Sequence, residues 1–241
     1  MNRGRHHARH GPHRRTDAPS ALESAAAFLG GAGGHLSPEL AGIDRELFRL
    51  RQRDSLIEWA LGQDLLTTPS SGEDWCRGLL EVSGWVAGNE HTVIVKPDDR
   101  RVLKLTHPDR FGKAYPRMGG QTVYQEATPL EYLVRLGVCN EAFGDDMRLE
   151  QVMLDAEGAV RVITSQPSIF GIHPETEDLH RHLFEQGFEP LEAVDGFPTT
   201  NDWFRAADRI LIFDAHSGNY IQTDNGFIIP IDIYAEKVPC A

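Results

Sequence analysis

Two kinds of hydrophobic pattern follow one another along the chain. The first third carries apolar residues at helical spacing. Residues 20–29 (SALESAAAFL) predict a short helix and residues 38–63 a longer one. In the longer segment Leu47, Leu50, Leu56, Ile57, Trp59, Ala60 and Leu61 supply an apolar stripe, and Ser37 followed by Pro38 reads as a cap with proline in the first turn. Between the two, the glycine run at residues 30–34 reads as a flexible connector. A phosphate cradle would need a strand before it and a Lys-Ser/Thr pair after it, and neither is present.

From about residue 77 the period shortens. Residues 79–85, 91–96 and 101–105 are short runs rich in Val and Ile, broken at Gly88-Asn89 and Pro97-Asp98-Asp99. This predicts an antiparallel meander. Thr128-Pro129 then opens a helix, with Thr128 as cap, Pro129 in the first turn and Glu131 at the capping-box position. Its apolar face comes from Leu130, Leu133, Val134, Leu136 and Val138. Two more strands are predicted at 147–154 and 159–165, around a turn at 155–158. Residues 174–187 form an amphipathic helix between Pro174 and Gly187. The last third predicts short strands at 210–213, 220–222 and 226–231, with Asp224-Asn225-Gly226 as a tight turn. No internal repeat is evident.

Composition adds limits. The 241 residues suffice for one sizeable domain or two small lobes around a cleft. The hydrophobic fraction, 40%, is below the usual range and points to some disordered sequence. Of the 24 basic residues, five fall in the first 15 positions with no acid among them, so the rest is more acidic than the net charge of −12. An acidic body does not attract nucleic acid, and only the basic tail, residues 1–19, could touch nucleic acid or a membrane surface. The tail reads as a solvated leader, and its histidines (His6, His7, His10, His13) lack a scaffold that would fix a metal. Cys76, Cys139 and Cys240 are odd in number and lack CxxC spacing, which implies a reducing cytoplasm without disulfides or a cysteine zinc site. No run is apolar for long enough to cross a bilayer, and the N-terminus lacks a secretion-signal core, so a membrane partner is not expected.

The chemistry concentrates near the C-terminus. Asp214 and Asn219 flank His216-Ser217-Gly218, which suits a loop, and a hairpin returns the chain to Asp232. Apolar runs precede both acids. Two carboxylates and an amide oxygen on anchored loops suit Mg²⁺ bound together with phosphate oxygens. Phosphate also calls for a cation. Lys104 stands alone in Val102-Leu103-Lys104-Leu105, and a lysine facing a core needs a partner. Glu131 in the following helix is the expected partner, with Glu126 as its rival. Gly84 and Gly88 flank the first hairpin, where backbone could approach a nucleotide. Asp145-Asp146 reads as a turn after the helix, and Trp203-Phe204 as core or cleft lining. His216 either braces its loop or acts on phosphate directly.

The order of these residues resembles that of protein kinases. Asp-Ala-His-Ser-Gly-Asn (214–219) resembles the Asp-x-His-Pro-Gly-Asn loop of aminoglycoside and choline kinases. The stretches NEHTVIV, VLKLTHPDRFG, ATPLEYLVRLGVCNEAFGDDMRLE, ITSQPSIFG and FDAHSGNYIQTDNGFIIPID resemble, over about residues 79–235, the kinase domain of polyvalent proteins of phages and mobile elements. The resemblance implies an α+β, reduced two-lobed protein-kinase-like fold. Its N-lobe, residues 77–167, would be an antiparallel sheet with one helix. A minimal C-lobe, residues 168–241, would carry the catalytic and metal loops, and residues 20–76 would be a helical extension. It also implies an ATP site with Mg²⁺ and transfer of phosphate to a protein Ser/Thr/Tyr or a small-molecule hydroxyl. Lys104 becomes the phosphate-contacting lysine and Glu131 its partner. Asp214 becomes the catalytic base, Asn219 and Asp232 the metal ligands, and Ser165, Gln166 and Pro167 the hinge beside the adenine. The chain departs from the pattern at Phe213, which stands where many kinases have Arg, and at Ile231-Asp232-Ile233, which lacks the Phe-Gly. Only nine residues follow Asp232, so a long activation segment and a peptide platform are not expected. A pseudokinase-like binding module and a nucleotidyl transferase are the alternatives.

Overall fold

The computed structural model describes residues 20–33, 43–68, 84–95, 100–115, 117–118, 121–122, 125–194, 197–198 and 200–238. The basic tail with its histidines, the Ser37-Pro38 cap, the run at 79–83 and the turn at 97–99 lie outside the described residues. The fold is mixed α+β. Among the described residues no helix is long and apolar enough to cross a membrane.

Helices α1 (Ala21–Gly33) and α2 (Ile43–Gly62) pack on each other and on α3 (Pro129–Phe143). Leu22, Ala25 and Leu29 of α1 and Leu56, Trp59 and Ala60 of α2 join Leu130, Leu133 and Leu136 of α3 in one buried cluster. Helices α1 and α2 therefore share a core with the helix that borders the candidate site. One local expectation is corrected here. Residues 30–33 continue α1 and are not a connector. Once a helix is nucleated and pinned by its apolar face, each added residue needs only one further hydrogen bond, and a glycine costs it about 1 kcal/mol.

Six strands form the larger sheet. They are β1 (Leu66–Thr67), β2 (Gly84–Ala87), β3 (His91–Val95), β4 (Arg101–Thr106), β5 (Arg148–Leu154) and β6 (Val160–Pro167), in the order β1-β5-β6-β4-β3-β2. All neighbours are antiparallel except β1 and β5. Lys104 lies mid-sheet, opposite Val93 on one side and Thr164 on the other. Helix α3 is set by a complete capping box. The Thr128 side chain accepts from Glu131 N–H, the Glu131 carboxylate accepts from Thr128 N–H, and the helix stops at Gly144 in a left-handed conformation.

A second, four-stranded antiparallel sheet carries the C-terminal chemistry. It runs β7 (Glu189–Pro190), β8 (Trp203–Arg205), β9 (Ile210–Phe213) and β12 (Tyr234–Lys237). Helix α4 (Thr176–Glu185) turns Leu179 and Leu183 into the common core. Trp203 is fully buried, so it belongs to the core and not to a cleft wall. The hairpin β10 (Tyr220–Gln222) to β11 (Ile228–Pro230) turns at Gly226, whose φ of +81° suits glycine. All four residues of β9 are buried. That anchors the chain just before Asp214.

Candidate functional site

The loop that follows β9 is fixed by its own backbone. Asp214 leaves the strand at φ +59°, a left-handed conformation that Asp tolerates better than most residues. His216 N–H donates to Asp214 O at 2.9 Å, Asn219 N–H to His216 O at 2.9 Å, and Asn219 Nδ2 to Asp214 O at 2.8 Å. His216 Nδ1 accepts from Gly218 N–H, so the neutral ring carries its proton on Nε2, which lies 3.7 Å from Asp214 Oδ1. Ile231 N–H then donates to Asn219 O at 2.8 Å. That bond closes the hairpin and brings Asp232 to the same place as Asp214 and Asn219. Both carboxylates stay about half exposed.

Lys104 reaches this loop from the opposite sheet. Its side chain is buried, and Nζ donates to Ile231 O at 2.6 Å and to Asp232 Oδ1 at 3.2 Å. Gln166 Nε2 donates to the same Ile231 carbonyl at 3.3 Å. Partial desolvation raises the Asp232 pKa, but Lys104, His91 and Arg135 together outweigh it and hold the carboxyl below its ordinary value. Asp232 is therefore ionised at neutral pH and available to a cation.

The expected partnership of Lys104 with Glu131 is not formed. Glu131 caps its own helix through Thr128 N–H and takes a two-pronged contact from Arg45 of α2, at 2.7 and 3.2 Å. The reason is positional. A residue at the third position of a capped helix turns back toward the helix start, away from the sheet that holds Lys104. Glu126 does not replace it, since its backbone carbonyl accepts from Arg45 and its side chain is exposed.

In its place α3 offers a residue that the sequence reading passed over. Arg135, one turn beyond Glu131, is buried and pairs with Glu90 at 2.9 Å, while its guanidinium lies 5.2 Å from the Tyr132 ring centre and 5.6 Å from that of Tyr234. Desolvation opposes charge on both groups, but each partner's field prevails. Glu90 is held below its usual range and Arg135 above its own. This bridge has the opposite polarity to the expected Lys104–Glu131 pair, with the cation on the helix and the anion at the hairpin. The available signal was one arginine on the face of α3 that also carries Tyr132, Leu136 and Cys139.

A cavity of about 170 Å³ joins these groups. Asp214, His216, Asn219 and Asp232 line it from the C-terminal loops, and Asn89, Glu90, Lys113 and Arg135 line it from the first hairpin, the chain after β4 and α3. Its size suits a polar group such as phosphate better than a whole nucleotide. Lys104 stands behind Asp232 and is not on the wall. Gly88 opens the turn that presents Asn89, with its N–H on His91 O at 2.8 Å, while Gly84 sits within β2 opposite Val95. Of the residues expected to form a hinge, Ser165 accepts from Arg101 Nε and donates to Glu150, and Pro167 pairs with Arg101 in the ladder.

The donor set fits Mg²⁺ that arrives with phosphate. Asn219 donates through Nδ2, which leaves Oδ1 for a cation, and Asp232 is ionised and half exposed. Among the described residues no group of three His, Cys, Asp or Glu forms a metal cage. Mg²⁺ commonly takes one or two protein carboxylates and completes its shell with phosphate and water. Comparison of the chain with protein-family models, with curated proteins and with solved structures returned no match.

Proposed function

We propose that the chain is a Mg²⁺-dependent, ATP-using phosphotransferase with a reduced two-lobed, protein-kinase-like organisation. One observation carries the reading. Asp214, Asn219 and Asp232 from the C-terminal loops line one polar cavity with Glu90 and Arg135, and Lys104 of the central sheet, far away in sequence, holds Asp232 from behind that lining. In this reading Asp214 accepts the proton of an acceptor hydroxyl, on a protein Ser/Thr/Tyr or on a small molecule. His216 stands beside Asp214, with Nε2 3.7 Å from its carboxylate. Asn219 and Asp232 hold the metal, and Lys104 and Gln166 fix the 231–232 backbone that aims Asp232. Mg²⁺, bound with the nucleotide, would neutralise charge on the phosphates.

A second reading, a nucleotide-binding module without turnover, draws on Glu131. Its engagement by Arg45 leaves Lys104 without a helix carboxylate. Purified protein incubated with γ-labelled ATP and Mg²⁺ separates the two. Transfer to a protein, or autophosphorylation, that falls about 10²- to 10⁴-fold in Asp214→Ala supports the enzyme. ATP binding with neither hydrolysis nor transfer leaves only the binding module. A target that gains the mass of AMP would point to nucleotidyl transfer.

A further inference from the structure

We propose that Arg135, and not Lys104, is the residue that grips the terminal phosphate of the bound nucleotide, with Glu90 as the group that aims it. The inference rests on the phosphotransferase reading for the identity of the ligand, but not for the phosphate site itself.

The first argument is position. Lys104 is engaged by Ile231 O and Asp232 and stands behind the wall. Arg135 lines the cavity together with Asp214, Asn219 and Asp232. The second argument is unused donor capacity. A guanidinium carries five N–H groups in a fixed fork. Among the described residues Arg135 makes one hydrogen bond, from Nη2 to Glu90 Oε2. Nη1 and Nε make no hydrogen bond to any described residue, and Arg135 lines the cavity. The geometry of the fork suits two oxygens of one phosphate, which a lysine cannot match.

The third argument is that the clamp is built around a glycine. Glu90 is held from its other side, where Oε1 accepts from Lys113 N–H at 3.1 Å. Gly112, at φ +80°, leaves the space for both side chains. A Cβ there would stand 2.7 Å from Glu90 Oε2 and 3.2 Å from Arg135 Nη2. Charge is the fourth argument. Glu90, Asp214 and Asp232 give this small cavity an excess of carboxylates, so a phosphate enters only beside a fixed cation and a metal ion. Arg135 is the fixed cation buried there, and two tyrosine rings hold its plane.

The test is calorimetric binding of Mg-ATP, Mg-pyrophosphate and adenosine to the full chain. Wild type is compared with Arg135→Lys and with the double variant Glu90→Gln/Arg135→Met, which leaves neither charge buried alone. Circular dichroism checks the fold of each. We expect both variants to bind Mg-ATP and Mg-pyrophosphate about 10- to 100-fold more weakly, with adenosine binding unchanged. If wild type binds pyrophosphate but not ATP, and the variants lose the pyrophosphate, the nucleotide reading fails and the Arg135 assignment stands. If the folded variants bind pyrophosphate within twofold of wild type, the Arg135 assignment is overturned, and the wild-type titration decides ATP binding separately. If wild type binds no phosphate compound, both are overturned.

Discussion

The Asp214–Asp232 loops and the α3 face of the cleft contribute to the same cavity, but they are built by different means. The turns of the loops close through bonds within 18 residues of chain, and the Ile231 carbonyl is gripped from the opposite sheet, by Lys104 and Gln166. Asn219 fixes Asp214, and Ile231 fixes Asn219. Their carboxylates are half exposed, Asp232 beside Lys104 and Asp214 beside His216. The α3 face is held by charge pairs across the fold, Arg135 on Glu90 in the interior and Arg45 on Glu131 partly exposed. The difference teaches that one wall of the site is chemically exposed and structurally cheap to alter. The other is structurally costly to alter, because each charge there depends on a distant counter-charge.

The sharpest break of this contrast is Arg135→Met. It leaves Glu90 buried without its partner, and a loss of about 3–5 kcal/mol is expected in urea denaturation. Adding Glu90→Gln should restore most of it. A double variant as unstable as the single would remove the paired-charge account of this wall.

Asp145, just beyond the end of α3, provides the next largest effect. The 145–146 turn was expected, and Asp146 does lie in a left-handed turn with ion pairs to Arg101 and Arg148. Asp145 differs, because it is buried and neither carboxylate oxygen has a hydrogen-bond partner among the described residues. Burial pushes its pKa up to about 7, against the opposing field of Lys104. Between the unfolded value and about 7 the folded state binds more protons, so stability falls as pH rises through that window. Asp145→Asn should therefore stabilise the protein at pH 8, by up to about 4 kcal/mol, with the gain vanishing below about pH 4. His91 titrates in the opposite sense. Burial, with Lys104 nearby, lowers its pKa to about 4, so its contribution is complete above its unfolded value of 6.5 and is lost as pH falls toward 4. Thermal melts of Asp145→Asn across pH 4–8 should consequently lose stability only on the acid side. A variant with the same pH profile as wild type would contradict the assignment.

Glu131→Ala is expected to cost about 1–2 kcal/mol, through the lost cap and the lost contact to Arg45, with nucleotide affinity unchanged. A large fall in Mg-ATP affinity at intact stability would instead show Glu131 reaching Lys104 when ligand is bound. The smallest effect falls on the loop wall. Asp214→Asn should alter stability by no more than about 0.5 kcal/mol, because the side chain is half exposed and its backbone carries the loop bonds. A large destabilisation there would erase the contrast between the two walls.

Much of the local structure was legible in the sequence. The capping box at Thr128 and Glu131, the meander through Lys104 and the tight turn at Gly226 each depend on neighbours a few residues apart. The site was legible where it is local too, since Asp-Ala-His-Ser-Gly-Asn encodes its own turn and a hairpin brings back Asp232. Failures occurred where a long-range choice had to be made. The run at residues 30–33 carries glycines that favour a loop, yet packing of Leu22, Ala25 and Leu29 extends the helix through it. The strand Tyr234–Lys237 was not foreseen, because pairing with Ile210–Phe213 defines it more than its composition does.

The charges follow the same division. Sequence alone determined that a lysine would sit in an apolar strand, that a glutamate would cap the next helix, and that an acidic loop set would gather near the C-terminus. Tertiary structure decided who meets whom: Lys104 with Asp232, Glu131 with Arg45, Arg135 with Glu90. The physical reason is range. Caps and turns are settled by bonds between residues three to five apart, whereas a buried charge is settled by whichever opposite charge the packing of distant elements brings within about 3 Å.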